Sequence, residues 1–209
     1  MGSLNMSEHK PVDFYFDFSS PYGYFAAARI DHVLAPFDRT SIWHPILLGP
    51  ALKKTGNRPM AEQPMKDDYG RYDWDRLARF MDLPWALPAK FPMSTVKTAR
   101  AFYAIEENFG DQEVAKKFAI TAYKVYFGEG SDINDPGIIA GLARFCEIDD
   151  VALLSAIETP AIKDRLRHEV DLSLEKGVFG SPFVILDGEK FWGSDRFWMI
   201  KRWLKSGGW

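Results

Sequence analysis

One cysteine, four histidines and no long apolar run define what this chain does without. The lone Cys146 excludes an internal disulfide, and its neighbours Ile138, Ile139, Leu142, Ala143 and Phe145 mark it as a small buried hydrophobe, not a reactive thiol. His9, His32, His44 and His168 are scattered, and no pair of His, Cys or carboxylate residues has metal-ligand spacing, so no metal is expected. No apolar stretch approaches the roughly 18 residues a membrane span needs. Met1 to Lys10 is polar and lacks the apolar centre of a secretory signal. Charge of one sign is missing as well: 26 Lys and Arg against 29 Asp and Glu give a net charge of -3, with no basic run to neutralise a row of phosphates. Nucleic acid and membrane are thereby excluded as partners, and the chain is expected to be cytoplasmic. Its 209 residues suffice for one domain, or one domain with a large insertion.

What is present begins with an alternating run from Val12 to Phe18, with Val12, Phe14, Phe16 and Phe18 on one side of a strand and Asp13, Tyr15 and Asp17 on the other. Ser20 then has the chemistry of a helix N-cap, and Pro21 suits the first helical position, where its missing N–H costs nothing. Tyr22, Phe25, Ala26, Ile30, Val33 and Leu34 carry that helix to Pro36, and Thr40 to Ile46 reads as a second strand, completing a βαβ unit. From about Leu48 to Gly177 strand signals stop. Gly49-Pro50, Gly56-Asn57-Arg58-Pro59 and Pro64 read as loop. Helices are expected from Asp67 to Met81, from Ser94 or Thr95 to about Asn108, after Asp111, after Asp135, from Asp150, and along Ile162, Leu166, Val170 and Leu174 to a stop at Gly177. Strands return at Phe183 to Leu186 and Lys190 to Trp192, joined by Asp187-Gly188, a strong hairpin signal. Ser194 to Leu204 closes the chain as a helix.

The order βαβ, helical block, ββα is that of a thioredoxin-like α/β fold interrupted by a helical insertion, with residues 10–48 and 178–209 forming the thioredoxin-like part and 49–177 the insertion. In such a fold the strand-to-helix junction carries a Cys-x-x-Cys pair. Here the tetrad is Ser20-Pro21-Tyr22-Gly23, so any sulfur at the site must come from a ligand. Gly180-Ser181-Pro182-Phe183 stands where the fold carries a cis-proline, and a cis bond would leave the Ser181 amide and carbonyl to pair with an extended peptide. Gly193-Ser194-Asp195-Arg196 opens the last helix. With Ser194 as its cap, the amides there suit a carboxylate and Asp195 an ammonium, the two charges of an amino-acid head group. An ordinary cap beside a solvated Asp–Arg pair fits the same residues.

Phe16-Asp17-Phe18-Ser19-Ser20-Pro21-Tyr22, Thr55-Gly56-Asn57-Arg58-Pro59, Val178-Phe179-Gly180-Ser181-Pro182 and Phe191-Trp192-Gly193-Ser194-Asp195-Arg196 together resemble the 2-hydroxychromene-2-carboxylate isomerases, bacterial relatives of kappa-class glutathione transferases. The resemblance runs from about Val12 to Leu204. It implies a homodimer that uses glutathione as cofactor and acts on a small aromatic carboxylate. It further implies that Ser20 is the catalytic serine touching the glutathione sulfur, that Ser181 and Pro182 meet the cysteinyl backbone, and that Gly193, Ser194, Asp195 and Arg196 hold the γ-glutamyl end. Asn57 and Lys66 would reach the glycyl end or the second substrate, and Lys53, Lys54 and Arg58 are candidates for a substrate carboxylate. The implied reaction turns 2-hydroxychromene-2-carboxylate into trans-o-hydroxybenzylidenepyruvate. A kappa-type transferase or peroxidase, and a thioredoxin-like binding module without chemistry, are the alternatives.

The residues themselves constrain the role of Ser20. A nucleophilic serine needs a general base, and neither His32 nor His44 adjoins the motif. A hydrogen-bond donor needs none. A thiol of pKa ~8.5 must fall by about two units, or about 2.7 kcal/mol, to be mostly thiolate at neutral pH. A hydroxyl hydrogen bond to a charged group supplies about 1.5–3 kcal/mol and a helix N-terminus about 0.3–1 kcal/mol. Capping alone also explains Ser20. Asp17 is a candidate buried acid, equally suited to a structural role. Tyr69, Tyr72, Trp74, Trp85 and Phe91 suit an aromatic pocket but fit helix packing better.

Overall fold

The computed structural model describes residues 10–209; His9 and the polar start of the chain lie outside the described residues. Four strands form one mixed sheet in the order β2-β1-β3-β4: β1 (Val12–Phe16), β2 (Ser41–Pro45), β3 (Phe183–Leu186) and β4 (Glu189–Trp192). β1 runs parallel to β2 in the register Phe14↔Trp43, and antiparallel to β3 in the register Phe14↔Val184. β1 is one of the two inner strands and is covered on both faces, so Phe14 and Phe16 are buried and so is Tyr15 between them. Asp187 and Gly188 both take positive φ, the geometry that the Asp-Gly pair favours between β3 and β4.

The crossover from β1 to β2 is two helices, not the single one expected: α1 (Pro21–Ala27) and α2 (Ile30–Leu34) meet at a break on Ala28 and Arg29. Between β2 and β3 the described residues hold seven α-helices, a short 3-10 helix at Met60–Glu62, a π-helical turn at Lys124–Gly128, and no strand. The α-helices are α3 (Leu48–Thr55), α4 (Lys66–Met81), α5 (Val96–Asn108), α6 (Gln112–Tyr123), α7 (Pro136–Phe145), α8 (Asp150–Ala156) and α9 (Pro160–Glu175). After β4, a 3-10 turn at Ser194–Arg196 leads into α10 (Phe197–Ser206).

Asp111, Asp135, Asp149 and Thr159 cap α6, α7, α8 and α9 with their own side chains, each satisfying N–H groups the helix cannot. α8 starts at Asp150, as expected, with Asp149 before it as the cap. α3 was expected to be loop. It contains Gly49-Pro50 and follows Leu47, which offers no side-chain cap.

One core joins the sheet to the insertion. Phe16 packs edge-on against Phe102 of α5 at 6.1 Å and, tilted, against Tyr123 of α6 at 5.8 Å. Tyr103 of α5 donates to the Pro45 carbonyl at 2.8 Å. Beyond them Tyr24, Phe25, Trp85 and Phe127 continue a run of aromatic contacts, with Trp85 and Phe127 stacked at 5.5 Å. Cys146 is buried, and burial pushes its thiol pKa up, in keeping with a small packed hydrophobe.

Candidate functional site

The ends of β1, β2 and β4 and the start of β3 all lie at one end of the sheet, and the loops there line a cleft of about 1470 Å3. Ser20 stands in it as the N-cap of α1, with Pro21 at the first helical position. Its Oγ accepts from the Gly23 N–H at 3.1 Å and donates to the Ser181 carbonyl at 3.0 Å. The Ser181–Pro182 bond is cis. The Ser181 carbonyl is thus already engaged, whereas the sequence had left it free for a ligand.

Asp17 organises the centre. It is 4% exposed, and its carboxylate accepts from the Ser19 N–H at 2.8 Å, the Leu48 N–H at 2.7 Å and the Thr95 hydroxyl at 3.1 Å. Its own N–H donates to Ser181 Oγ at 2.9 Å, and its carbonyl accepts from the Tyr123 hydroxyl at 2.8 Å. One residue therefore ties the β1 end to the Ser181 loop and to the starts of α3 and α5. Burial pushes its pKa up, opposed but not cancelled by the Ser19 and Leu48 amides and the hydroxyls. Thr95 begins α5 yet does not cap it, because its hydroxyl is spent on Asp17.

Gly23, at the far end of the tetrad, has no room for a side chain. A Cβ there would lie 2.5 Å from the Tyr123 hydroxyl, 3.1 Å from Ser181 Oγ and 3.2 Å from the Asp17 carbonyl. The insertion thus occupies the space a second cysteine would need. His44 is no base for Ser20: it is bound to Asp13 at 2.9 Å and faces Glu169 of α9 at 3.5 Å.

Ser181, Gly193, Ser194, Asp195 and Arg196 line the cleft on the β4 side, and Asn57, Arg58 and Lys66 on the β2 side. Three expected residues do not: Lys53 and Lys54 are exposed on α3 outside the lining, and Pro182 is also outside it, its carbonyl accepting from the Gly193 N–H at 3.0 Å. Ser194 is no cap either. The capping position is Gly193, with φ of 109°, and no side chain caps the turn. Asp195 is ion-paired with Arg196. Asn57 Oδ1 accepts from the Arg58 N–H at 2.9 Å and from Gln63 Nε2 at 3.2 Å, and Lys66 donates to Gln63 at 2.9 Å.

Of the insertion aromatics, Tyr69, Trp74 and Phe91 line the cleft, Trp85 packs in the core, and Tyr72 is exposed outside it. Sequence reasoning missed Arg29, Tyr22 and Asp73, which also line it; the Tyr22 hydroxyl donates to Asp73 at 2.7 Å and spans from α1 to α4. Nothing local distinguishes these three from ordinary helix residues. Among the described residues no cluster of His, Cys, Asp or Glu could hold a metal ion, and no helix is long and apolar enough to cross a membrane.

Comparison with known proteins agrees with this architecture. The model of the DSBA-like thioredoxin domain matches residues 11–205. A 2-hydroxychromene-2-carboxylate isomerase of Sphingobium xenophagum is 29% identical over 197 residues, covering 93% of this chain and 98% of that one. The glutathione S-transferase kappa 1 of Caenorhabditis elegans is 28% identical, covering 90% and 88%. A solved 2-hydroxychromene-2-carboxylate isomerase superposes with a TM-score of 0.85 at 25% identity, covering 94% and 95%. The chain belongs to the DSBA-like thioredoxin domain family, as an enzyme akin to the 2-hydroxychromene-2-carboxylate isomerases and kappa-class glutathione transferases.

Proposed function

We propose that this enzyme is a glutathione-dependent isomerase that converts 2-hydroxychromene-2-carboxylate-type substrates into trans-o-hydroxybenzylidenepyruvate. The observation that carries this reading is the pairing of a serine hydroxyl at the thiol position with a closed seat at Gly23. A protein disulfide cannot form there, so a sulfur chemistry at this junction requires a ligand's thiol. The donor set fits glutathione: a hydroxyl at the cleft centre, the Ser181 backbone beside it, and a charged turn at Ser194–Arg196 for an amino-acid head group.

Glutathione, when bound, supplies a soft sulfur nucleophile that can add to and leave a conjugated carbon, freeing the neighbouring bond to rotate. The protein's work is to prepare that sulfur and hold the substrate. Ser20 Oγ keeps its proton on the Ser181 carbonyl in this structure. Turning it onto a thiolate exchanges a neutral hydrogen bond of about 0.5–1.5 kcal/mol for a charge-assisted one of about 1.5–3 kcal/mol. The net gain is therefore smaller than a free hydroxyl would provide. The second lone pair of the Ser181 carbonyl remains for a ligand amide. Arg58, Lys66 and Asn57 would orient the substrate carboxylate, while Trp74, Leu77, Phe91 and Met60 give the ring an apolar wall.

In the same reading the enzyme is a cytoplasmic homodimer of aromatic catabolism. The stripe Met65, Tyr69, Tyr72 and Phe80, exposed along α4, supports a covered surface. The experiment that tests the function follows the ultraviolet spectrum of the chromene substrate with and without glutathione. Isomerisation only with glutathione, and no net loss of it, is expected. Consumption of glutathione into a conjugate would make the enzyme a transferase instead. No conversion under either condition removes this substrate.

A further inference from the structure

The cleft runs along the end of the sheet, so the edge strands β2 and β4 set its two flanks and Ser20, after β1, lies between them. Cationic side chains line both flanks: Arg58 and Lys66 beyond β2, and Arg196 and Arg29 toward β4 and α10. Their partners differ. Arg196 is ion-paired with Asp195, and Lys66 donates to Gln63 Oε1 at 2.9 Å. Among the described residues no carboxylate pairs with the guanidinium of Arg29 or with that of Arg58.

Arg29 is half-buried and sits on the break between α1 and α2, with φ of -129° and its N–H donating to the Ala26 carbonyl at 2.9 Å. Its guanidinium lies 5.6 Å above the ring of Phe197, the first residue of α10. A cation–π contact of this kind holds the guanidinium against the ring while its N–H groups remain able to bind a carboxylate. The site thus has an unpaired guanidinium on each flank and a hydroxyl in the middle. A short peptide with a thiol at its centre and a carboxylate at each end has the complementary charge pattern.

We propose that Arg29 is a ligand-binding residue, which takes the α-carboxylate of the γ-glutamyl end while Asp195 takes the neighbouring ammonium. Together they read that end as a zwitterionic amino-acid head group. The assignment rests on the glutathione reading and adds to it a selectivity: thiols without that carboxylate are poor ligands, whatever their sulfur offers.

Calorimetric titration of the full chain with glutathione and with 4-aminobutanoyl-cysteinyl-glycine, which lacks only the γ-glutamyl carboxylate, is the test. Arg29→Met keeps an apolar stem over Phe197 and removes the charge, and Arg29→Lys restores a charge without the fork. Arg29→Met is expected to weaken glutathione about 10- to 100-fold, as for one charge-assisted hydrogen-bonded contact. Arg29→Lys should recover part of the loss. The truncated peptide should bind wild type weakly and lose no further affinity in Arg29→Met. An Arg29→Met protein that binds glutathione as wild type does, or that loses equal affinity for both peptides, overturns the assignment and leaves the glutathione reading standing. A wild-type chain that binds no glutathione at millimolar concentration overturns both.

Discussion

Two aspartates four residues apart, Asp13 and Asp17, anchor polar networks at the two ends of one strand, and their pKa values move in opposite directions. Asp17 faces the cleft and is held by backbone amides and a hydroxyl, with no cation bonded to its carboxylate among the described residues, so burial drives its pKa up. At Asp13 burial also pushes upward, but His44 at 2.9 Å and Lys176 at 3.5 Å outweigh it, and the net direction is down. His44 repeats the pattern: burial would lower its pKa, and the carboxylates of Asp13 and Glu169 raise it instead. The front of the sheet uses hydrogen bonds from uncharged donors to fix geometry around a hydroxyl. The back uses opposite charges to fasten α9 to β1 and β2. On the proposed reading, a site that takes a ligand sulfur gains from carrying no strong cation–carboxylate pair of its own beside Ser20.

The largest break in this comparison is expected from Asp17→Ala. It strands the Ser19 and Leu48 amides and the Thr95 hydroxyl, and should cost about 3–5 kcal/mol of stability in urea unfolding. Asp13→Ala, which loses a partly exposed pair, should cost only about 1 kcal/mol. Equal losses would mean that the two networks do not differ as described. Next, Gly23→Ala forces a methyl against the Tyr123 hydroxyl and should cost about 1–3 kcal/mol. Adding Tyr123→Phe should return part of that loss, and strict additivity of the two changes would show that the seat is not closed by this hydroxyl.

Ser20→Ala removes the cap of α1 for about 1 kcal/mol. Its larger effect should fall on turnover, with kcat down about 10- to 100-fold and the fold retained by circular dichroism. The smallest effect is a pH slope. Because the folded pKa of His44 is raised above its ordinary 6.5, its stabilisation is complete below that pH and is lost as pH rises through the folded value. Asp13 and Glu169, both lowered, contribute above their ordinary 3.8 and 4.5 and lose their contribution as pH falls. Urea midpoints measured from pH 6 to pH 9 should therefore fall in wild type and stay flatter in His44→Gln. Parallel curves would remove His44 from the cluster's pH response.

Much of this was legible because its causes are local. Ser20 before Pro21, Asp111, Asp135 and the Asp187-Gly188 turn each carry their instruction within a few residues, and all formed the caps or turn expected of them. α3 was not legible, because the group that accepts its Leu48 N–H is Asp17, 31 residues earlier in the chain. The same carboxylate diverts Thr95 from the capping role that its position suggests. Ser194 failed as a cap because the turn begins at Gly193, whose positive φ no local pattern announced. Arg29 looked like one more residue in a helix until the break in that helix put it beside Phe197.

By itself the sequence determined the order of the strands and of most helices, the hydroxyl at the thiol position and the lack of a base beside it, since these depend on near neighbours and residue chemistry. Only the tertiary structure decided that Gly23 has no space for a side chain, that Asp17 is the hub of the cleft, and which cations remain unpaired. Each of these depends on groups brought together from distant parts of the chain. The Tyr123 hydroxyl meets Asp17 across 106 positions and Ser181 meets Asp17 across 164, separations over which packing, and no local preference, sets the distance.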